Sequence, residues 1–72
     1  MEKLIAILED IKRDVDYTQV KNLVTGGYLK SFDILTLVSE IEEEFGKEIA
    51  VEEVVPENFE SVESILSLIE RS

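Results

Sequence analysis

The stretch "SFDILTLVSEIEEEF", residues 31–45, decides the fold class of this chain. Its main apolar residues recur at steps of four, three and four, which is the spacing of one face of an α-helix. They are Ile34, Val38, Ile41 and Phe45. We therefore predict an amphipathic helix over 31–45, with Gly46 as its C-terminal stop.

Two other stretches show the same helical spacing. The apolar positions of residues 2–15, "EKLIAILEDIKRDV", are Leu4, Leu8, Ile11 and Val15. Those of residues 62–71, "VESILSLIER", are Val62, Ile65, Leu66 and Ile69. Ser61, directly before the second stretch, is a favoured N-cap residue. The sequence therefore predicts a first helix over 2–15 and a last helix that begins after Ser61.

The segments between these helices are less regular. Residues 16–30 form a long connection, and Gly26-Gly27 is the strongest break in it. Farther on, Pro56 disfavours helical geometry at the residue before it, and "PENF", residues 56–59, reads as a short turn of helix with Phe59 in the core. No stretch alternates with a period of two, so we predict an all-α fold. It is a single domain over 1–72, a small bundle of three main helices plus one short helix, with a long loop between helices 1 and 2.

The net charge of the chain limits the classes of molecule that it can bind. Seventeen acidic residues stand against seven basic ones, for a net charge of −10. Binding to nucleic acid needs Lys and Arg for the phosphates, so nucleic acid is excluded, and basic protein surfaces are favoured. The apolar run "LIAIL", residues 4–8, is too short to span a bilayer. We expect a cytoplasmic monomer without a membrane span.

Ser31 follows the glycine pair at the start of the second helix. A serine nucleophile needs a base beside it, and the chain has no histidine and no cysteine. The acids at 42–44 match no calcium-loop spacing, so we expect neither an enzyme nor a metal site. Two interpretations of Ser31 stay open. It is the N-cap of helix 2, or it is an acceptor that another enzyme modifies.

Two segments of the chain resemble a known family. "GYLKSFDILTLVSEIEEEFG", residues 27–46, is similar to the surroundings of the modified serine in acyl carrier proteins and in the related peptidyl and aminoacyl carrier domains. "VVPENFESVESILSLIE", residues 54–70, is similar to the end of the same family. The resemblance implies that Ser31 carries 4′-phosphopantetheine, which a phosphopantetheinyl transferase installs from coenzyme A. The thiol of this arm would hold an acyl group as a thioester.

The resemblance also implies a docking surface on the second helix. Matched to this chain, Phe32 is an exposed apolar contact, and Asp33, Glu40, Glu42 and Glu43 are acidic contacts. Their partners would be acyl- or aminoacyl-loading and condensing enzymes with basic docking surfaces. The alternative for each acid is a solvated helix face, and the alternative for Phe32 is core packing.

One residue departs from the family pattern. The family usually has Asp directly before the modified serine, and this chain has Lys30. A lysine cannot accept a hydrogen bond, and its charge opposes the helix dipole. Lys30 therefore either pairs with the attached phosphate or slows or prevents modification by common transferases, and we expect modification to survive.

The expected function is an acyl carrier protein that delivers acyl groups to enzymes of fatty-acid or related synthesis. An aminoacyl or peptidyl carrier of a specialised pathway is the alternative within the same class. An unmodified acidic helical adaptor that binds basic proteins is the alternative from another class.

Overall fold

The computed structural model describes residues 2–72, which contain three α-helices and no strand. The helices are α1 (Glu2–Ile11), α2 (Ser31–Phe45) and α3 (Val62–Arg71), and two short 3-10 turns, Val51–Glu53 and Pro56–Asn58, lie between α2 and α3. The predicted all-α class is confirmed, and α2 and α3 have the predicted bounds. No helix within residues 2–72 combines the length and the apolar character needed to cross a membrane.

The end of α1 differs from the prediction, because the helix stops at Ile11 rather than at Val15. The hydroxyl of the buried Tyr17 donates to the backbone oxygens of Lys12, at 2.6 Å, and of Leu8, at 3.1 Å. The Lys12 carbonyl has no other partner among residues 2–72, whereas the Leu8 carbonyl also accepts from the backbone N–H of Lys12 at 2.8 Å. Val15 is nevertheless buried, because the loop after α1 folds back on the core. The apolar spacing of the sequence therefore extends beyond the end of the helix.

The core lies between the three helices and includes side chains from the loops. Leu4 and Leu8 of α1, Leu37 of α2, Ile65 of α3 and Phe59 have no exposed surface. Of the four apolar positions of α2 that the spacing predicted to face the core, three are only partly buried: Ile34, Val38 and Phe45. Apolar side chains at those positions flank the core instead of filling it.

The long loop before α2 is attached to the start of α3. The backbone N–H of Leu23 donates to the backbone oxygen of Glu60 at 2.8 Å. The Glu60 carboxylate accepts from the N–H groups of Val24, at 2.9 Å, and Thr25, at 3.1 Å. Leu23 and Leu29 are buried, so the loop is packed as well as hydrogen-bonded, and it leads to α2 along a defined path.

The two predicted helix signals in the second half are confirmed. Ser61 has extended backbone angles, and its hydroxyl accepts from the N–H of Ser64 at 3.1 Å, so it caps α3. Gly46 follows α2 with a φ of 64°, the left-handed conformation in which helices often end.

Candidate functional site

The first turn of α2 presents Ser31 to solvent. Lys30 has extended angles, with φ −92° and ψ 172°, and its backbone oxygen accepts the first helical hydrogen bond, from Ile34 at 3.0 Å. Lys30 is thus the N-cap, and Ser31 is the first helical residue. The interpretation of Ser31 as the N-cap is wrong. Ser31 is exposed, and no other group within residues 2–72 is hydrogen-bonded to its hydroxyl.

The cap of α2 is formed by Asp33 rather than by a side chain at the N-cap. The Asp33 carboxylate accepts from the backbone N–H of Lys30 at 3.0 Å, which is one half of a capping box. The other half is missing because a lysine side chain has no acceptor. Asp33 is only 8% exposed, so the expectation that it offers a carboxylate to partners does not fit its position.

The glycine pair shapes the turn that leads to Ser31. Gly27 has a φ of 81°, which a residue with a side chain rarely adopts. A Cβ on Gly26 would lie 2.6 Å from the backbone oxygen of Asn22, so only glycine fits there. The pair therefore lets the chain reverse before Leu29 enters the core and Ser31 begins α2.

Three of the predicted docking residues lie on the exposed side of α2. Phe32 is 69% exposed, and Glu40 and Glu43 are exposed as well. Glu42 is partly buried, and its carboxylate accepts from the N–H of Ile49 at 2.9 Å. Glu42 therefore holds the segment that follows α2, in addition to any contact it makes with a partner.

Leu35 belongs to the same surface, although the sequence did not single it out. It is 67% exposed and lies one turn after Phe32, so the two side chains share a face of α2. The signal was present in its spacing, because Leu35 falls outside the apolar steps at 34, 38, 41 and 45.

A cleft of about 540 Å³ opens beside Ser31. Most of its walls are apolar, and they come from the loop before α2, from α2 and from residues 54–56, which lead into the second 3-10 turn. The wall residues are Val24, Gly27, Leu29, Ile34, Leu35, Val54, Val55 and Pro56. Lys30 and Ser31 complete the lining. The sequence did not reveal this cleft because its walls are far apart along the chain.

Comparison with protein-family models, curated proteins and solved structures gives no match for this chain. Within residues 2–72, no three metal-ligating side chains are grouped so as to hold an ion. Ser31 and the adjoining cleft are therefore the features that carry a functional hypothesis.

Proposed function

We propose that this chain is a carrier protein and that the Ser31 hydroxyl is the attachment point for 4′-phosphopantetheine. The observation that carries the proposal is the position of this hydroxyl, which is exposed, without a hydrogen-bond partner among residues 2–72, and at the start of a helix. The resemblance of residues 27–46 to the modified segment of acyl carrier proteins supplies the chemistry. The chain itself has no histidine, so the base for the modification belongs to the transferase.

The surroundings of Ser31 fit an attached phosphodiester. Its negative charge would lie at the positive end of the α2 dipole and next to the Lys30 ammonium. When attached, the arm supplies a thiol that carries an acyl or aminoacyl group as a thioester. The role of the protein is to hold the attachment point outward, so that delivery to a partner becomes nearly intramolecular.

The exposed side of α2 fits the role of a docking surface. Phe32 and Leu35 offer adjacent apolar contacts close to Ser31, and Glu40 and Glu43 add negative charge farther along the helix. A partner with an apolar pocket and a basic rim complements this arrangement. Rim charges of this kind mainly raise the association rate. Within the same proposal, α1–α3 and the 3-10 turn at Pro56–Asn58 form the four-helix bundle of a carrier domain.

The proposal is tested by incubating the protein with coenzyme A and a broad-range phosphopantetheinyl transferase. We expect intact-mass spectrometry to show the addition of one phosphopantetheine group. Because the chain has no cysteine, a thiol reagent should also detect one new thiol per chain.

Two alanine variants make the test specific to the site. Ser31→Ala should take up nothing, and Ser39→Ala, which changes another exposed serine of α2, should be modified like the wild type. A correctly folded wild-type sample that gains neither mass nor thiol would contradict the proposal and favour the unmodified adaptor.

A further inference from the structure

The cleft beside Ser31 differs in charge from the rest of this molecule. The chain has seventeen acidic residues, yet none of the described residues that line the cleft is acidic. Its polar side chains are the Lys30 ammonium and the Ser31 hydroxyl, and its remaining walls are apolar or glycine. Its volume of about 540 Å³ falls in the range of small-molecule sites, roughly 300–1,000 Å³.

The Lys30 ammonium has no counter-ion among residues 2–72. Three other lysines have partners in that range. Lys3 donates to the backbone oxygen of Glu44, Lys21 pairs with Glu63 at 2.8 Å, and Lys47 donates to the backbone oxygen of Ser72. Lys30 instead extends over Gly27 at the edge of the cleft. An unpaired cation in so acidic a protein is complementary to an anion.

We infer that this cleft binds a single-chain amphiphile with a carboxylate head group. The head lies at the Lys30 ammonium, and the aliphatic chain lies between Ile34 of α2 and Val54 and Val55 on the opposite wall. A single ammonium fits a monoanion, and burial of the chain against these side chains provides the main driving force. This binding needs no covalent arm, so it is independent of the modification proposed for Ser31.

The inference is tested on the full-length Ser31→Ala protein, which excludes any attached arm. Octanoate, 1-octanol and octylammonium share one aliphatic chain and differ in the charge of the head group. The two charged compounds are titrated below their micelle concentrations and 1-octanol below its solubility limit, while amide chemical shifts are recorded by NMR. We expect octanoate to shift amides around the cleft, at residues 24, 27, 34, 54 and 55. It should bind about three- to fivefold more tightly than 1-octanol, as one partly screened ion pair allows.

Charge variants at Lys30 separate this site from general surface binding. In the Ser31→Ala background, Lys30→Met should remove the preference for octanoate over 1-octanol, and Lys30→Glu should transfer the preference to octylammonium. Lys12→Met is the matched control, because Lys12 is also exposed but lies outside the cleft. It should keep the preference.

Three results would overturn the inference. The first is a titration that leaves the cleft amides unshifted. The second is a preference of the Ser31→Ala protein for octylammonium, which is what the net charge of −10 alone would produce. The third is a preference for octanoate that survives Lys30→Met. None of them bears on whether wild-type Ser31 accepts phosphopantetheine, so the two proposals can fail separately.

Discussion

Tyr17 is a single residue that stabilises the end of α1. Its hydroxyl donates to the carbonyls of Leu8 and Lys12, and only 2% of the residue is exposed. Burial, with smaller contributions from the charges of Glu9 and Asp33, raises the pKa of Tyr17 to about 12. The folded state therefore favours the neutral phenol. The stability that this provides is complete below the unfolded pKa of about 10, and it is lost as the pH rises from there through the folded pKa.

We predict that Tyr17→Phe lowers the free energy of unfolding by about 1–2 kcal/mol at neutral pH, because the Lys12 carbonyl loses its donor and the Leu8 carbonyl keeps only the N–H of Lys12. The same variant should lack the part of the stability loss that the wild type shows above about pH 10. Urea denaturation at neutral and alkaline pH measures both effects. Tyr28→Phe is the control, since Tyr28 is 37% exposed. An equal alkaline loss in wild type and Tyr17→Phe would contradict the prediction.

Individual residues also show which parts of the site could be predicted from the sequence. Ser31 was identified because glycines precede it and apolar spacing follows it. The burial of Asp33 was not predicted. A carboxylate in a first turn satisfies the helix dipole equally well in solvent or folded back onto the N-cap, and only the three-dimensional structure distinguishes the two. Leu35 was missed because the helical spacing identifies only the face of α2 that packs on the core, and it assigns no role to an apolar residue on the exposed face.

At the scale of elements, α2 begins without a side-chain acceptor at its N-cap. Lys30 cannot accept from the first-turn N–H groups, whereas Ser61 does so for α3. We predict that Lys30→Ser raises the free energy of unfolding by about 1 kcal/mol, because it completes the capping box with Asp33. Ser61→Ala should lower it by a similar amount. Chemical denaturation of both variants measures the contribution of each N-cap residue to the free energy of unfolding. A Lys30→Ser variant that is less stable than the wild type would contradict the prediction and show that the lysine has a structural role.

The link between the long loop and α3 is sensitive to acid. Hydrogen bonds from the backbone, above all from Thr25, lower the pKa of Glu60 below its usual value. A lowered folded pKa means that the link contributes fully above the unfolded pKa of about 4.3 and is lost as the pH falls through the folded value. The ion pair of Glu63 with Lys21 lowers the pKa of Glu63 and adds to the same acid dependence.

We predict that Glu60→Gln destabilises the protein at pH 7 and that the difference from wild type shrinks below about pH 4. The difference in melting temperature between the two proteins, measured by circular dichroism across this range, is the readout. Acid also reduces the charge repulsion within so acidic a chain. This effect is common to both proteins, so it cancels in the difference between their melting temperatures. Glu57→Gln, an exposed acid in the second 3-10 turn, is the control. A difference that stays constant from pH 7 to pH 3 would argue against the link.

Helical elements were predictable where apolar spacing and end signals agreed, as in α2 and α3. The end of α1 was not predictable, because the spacing through Val15 continues past the point where Tyr17 stops the helix. That contact joins residues that are nine apart across an irregular turn, and local spacing carries no sign of it. The 3-10 turn at Val51–Glu53 has no periodic signal, since three residues are too few to show one.

At the scale of the whole molecule, a chain of 72 residues can form only a small core, so we expect its stability to be modest. Phe59 is the largest of the fully buried side chains and lies between the second 3-10 turn and α3. We predict that Phe59→Ala costs about 3–5 kcal/mol, which is comparable to the total stability of a domain of this size.

The variant should lose its cooperative thermal transition in circular dichroism. Phe59→Leu, which leaves a smaller void, should retain that transition at a lower midpoint. A Phe59→Ala protein that melts like the wild type would show that the core repacks around the cavity.

The attachment of the long loop to Glu60 has a consequence for the protein during its synthesis. The segment that positions Ser31 relies on hydrogen bonds from Val24 and Thr25 to Glu60, which lies 36 and 35 positions later in the chain. On the ribosome, this turn stays unsupported until Glu60 has emerged from the exit tunnel. If Ser31 is modified as proposed, we expect a nascent chain that is stalled with Ser31 outside the tunnel and Glu60 still inside it to be a poor substrate for the transferase.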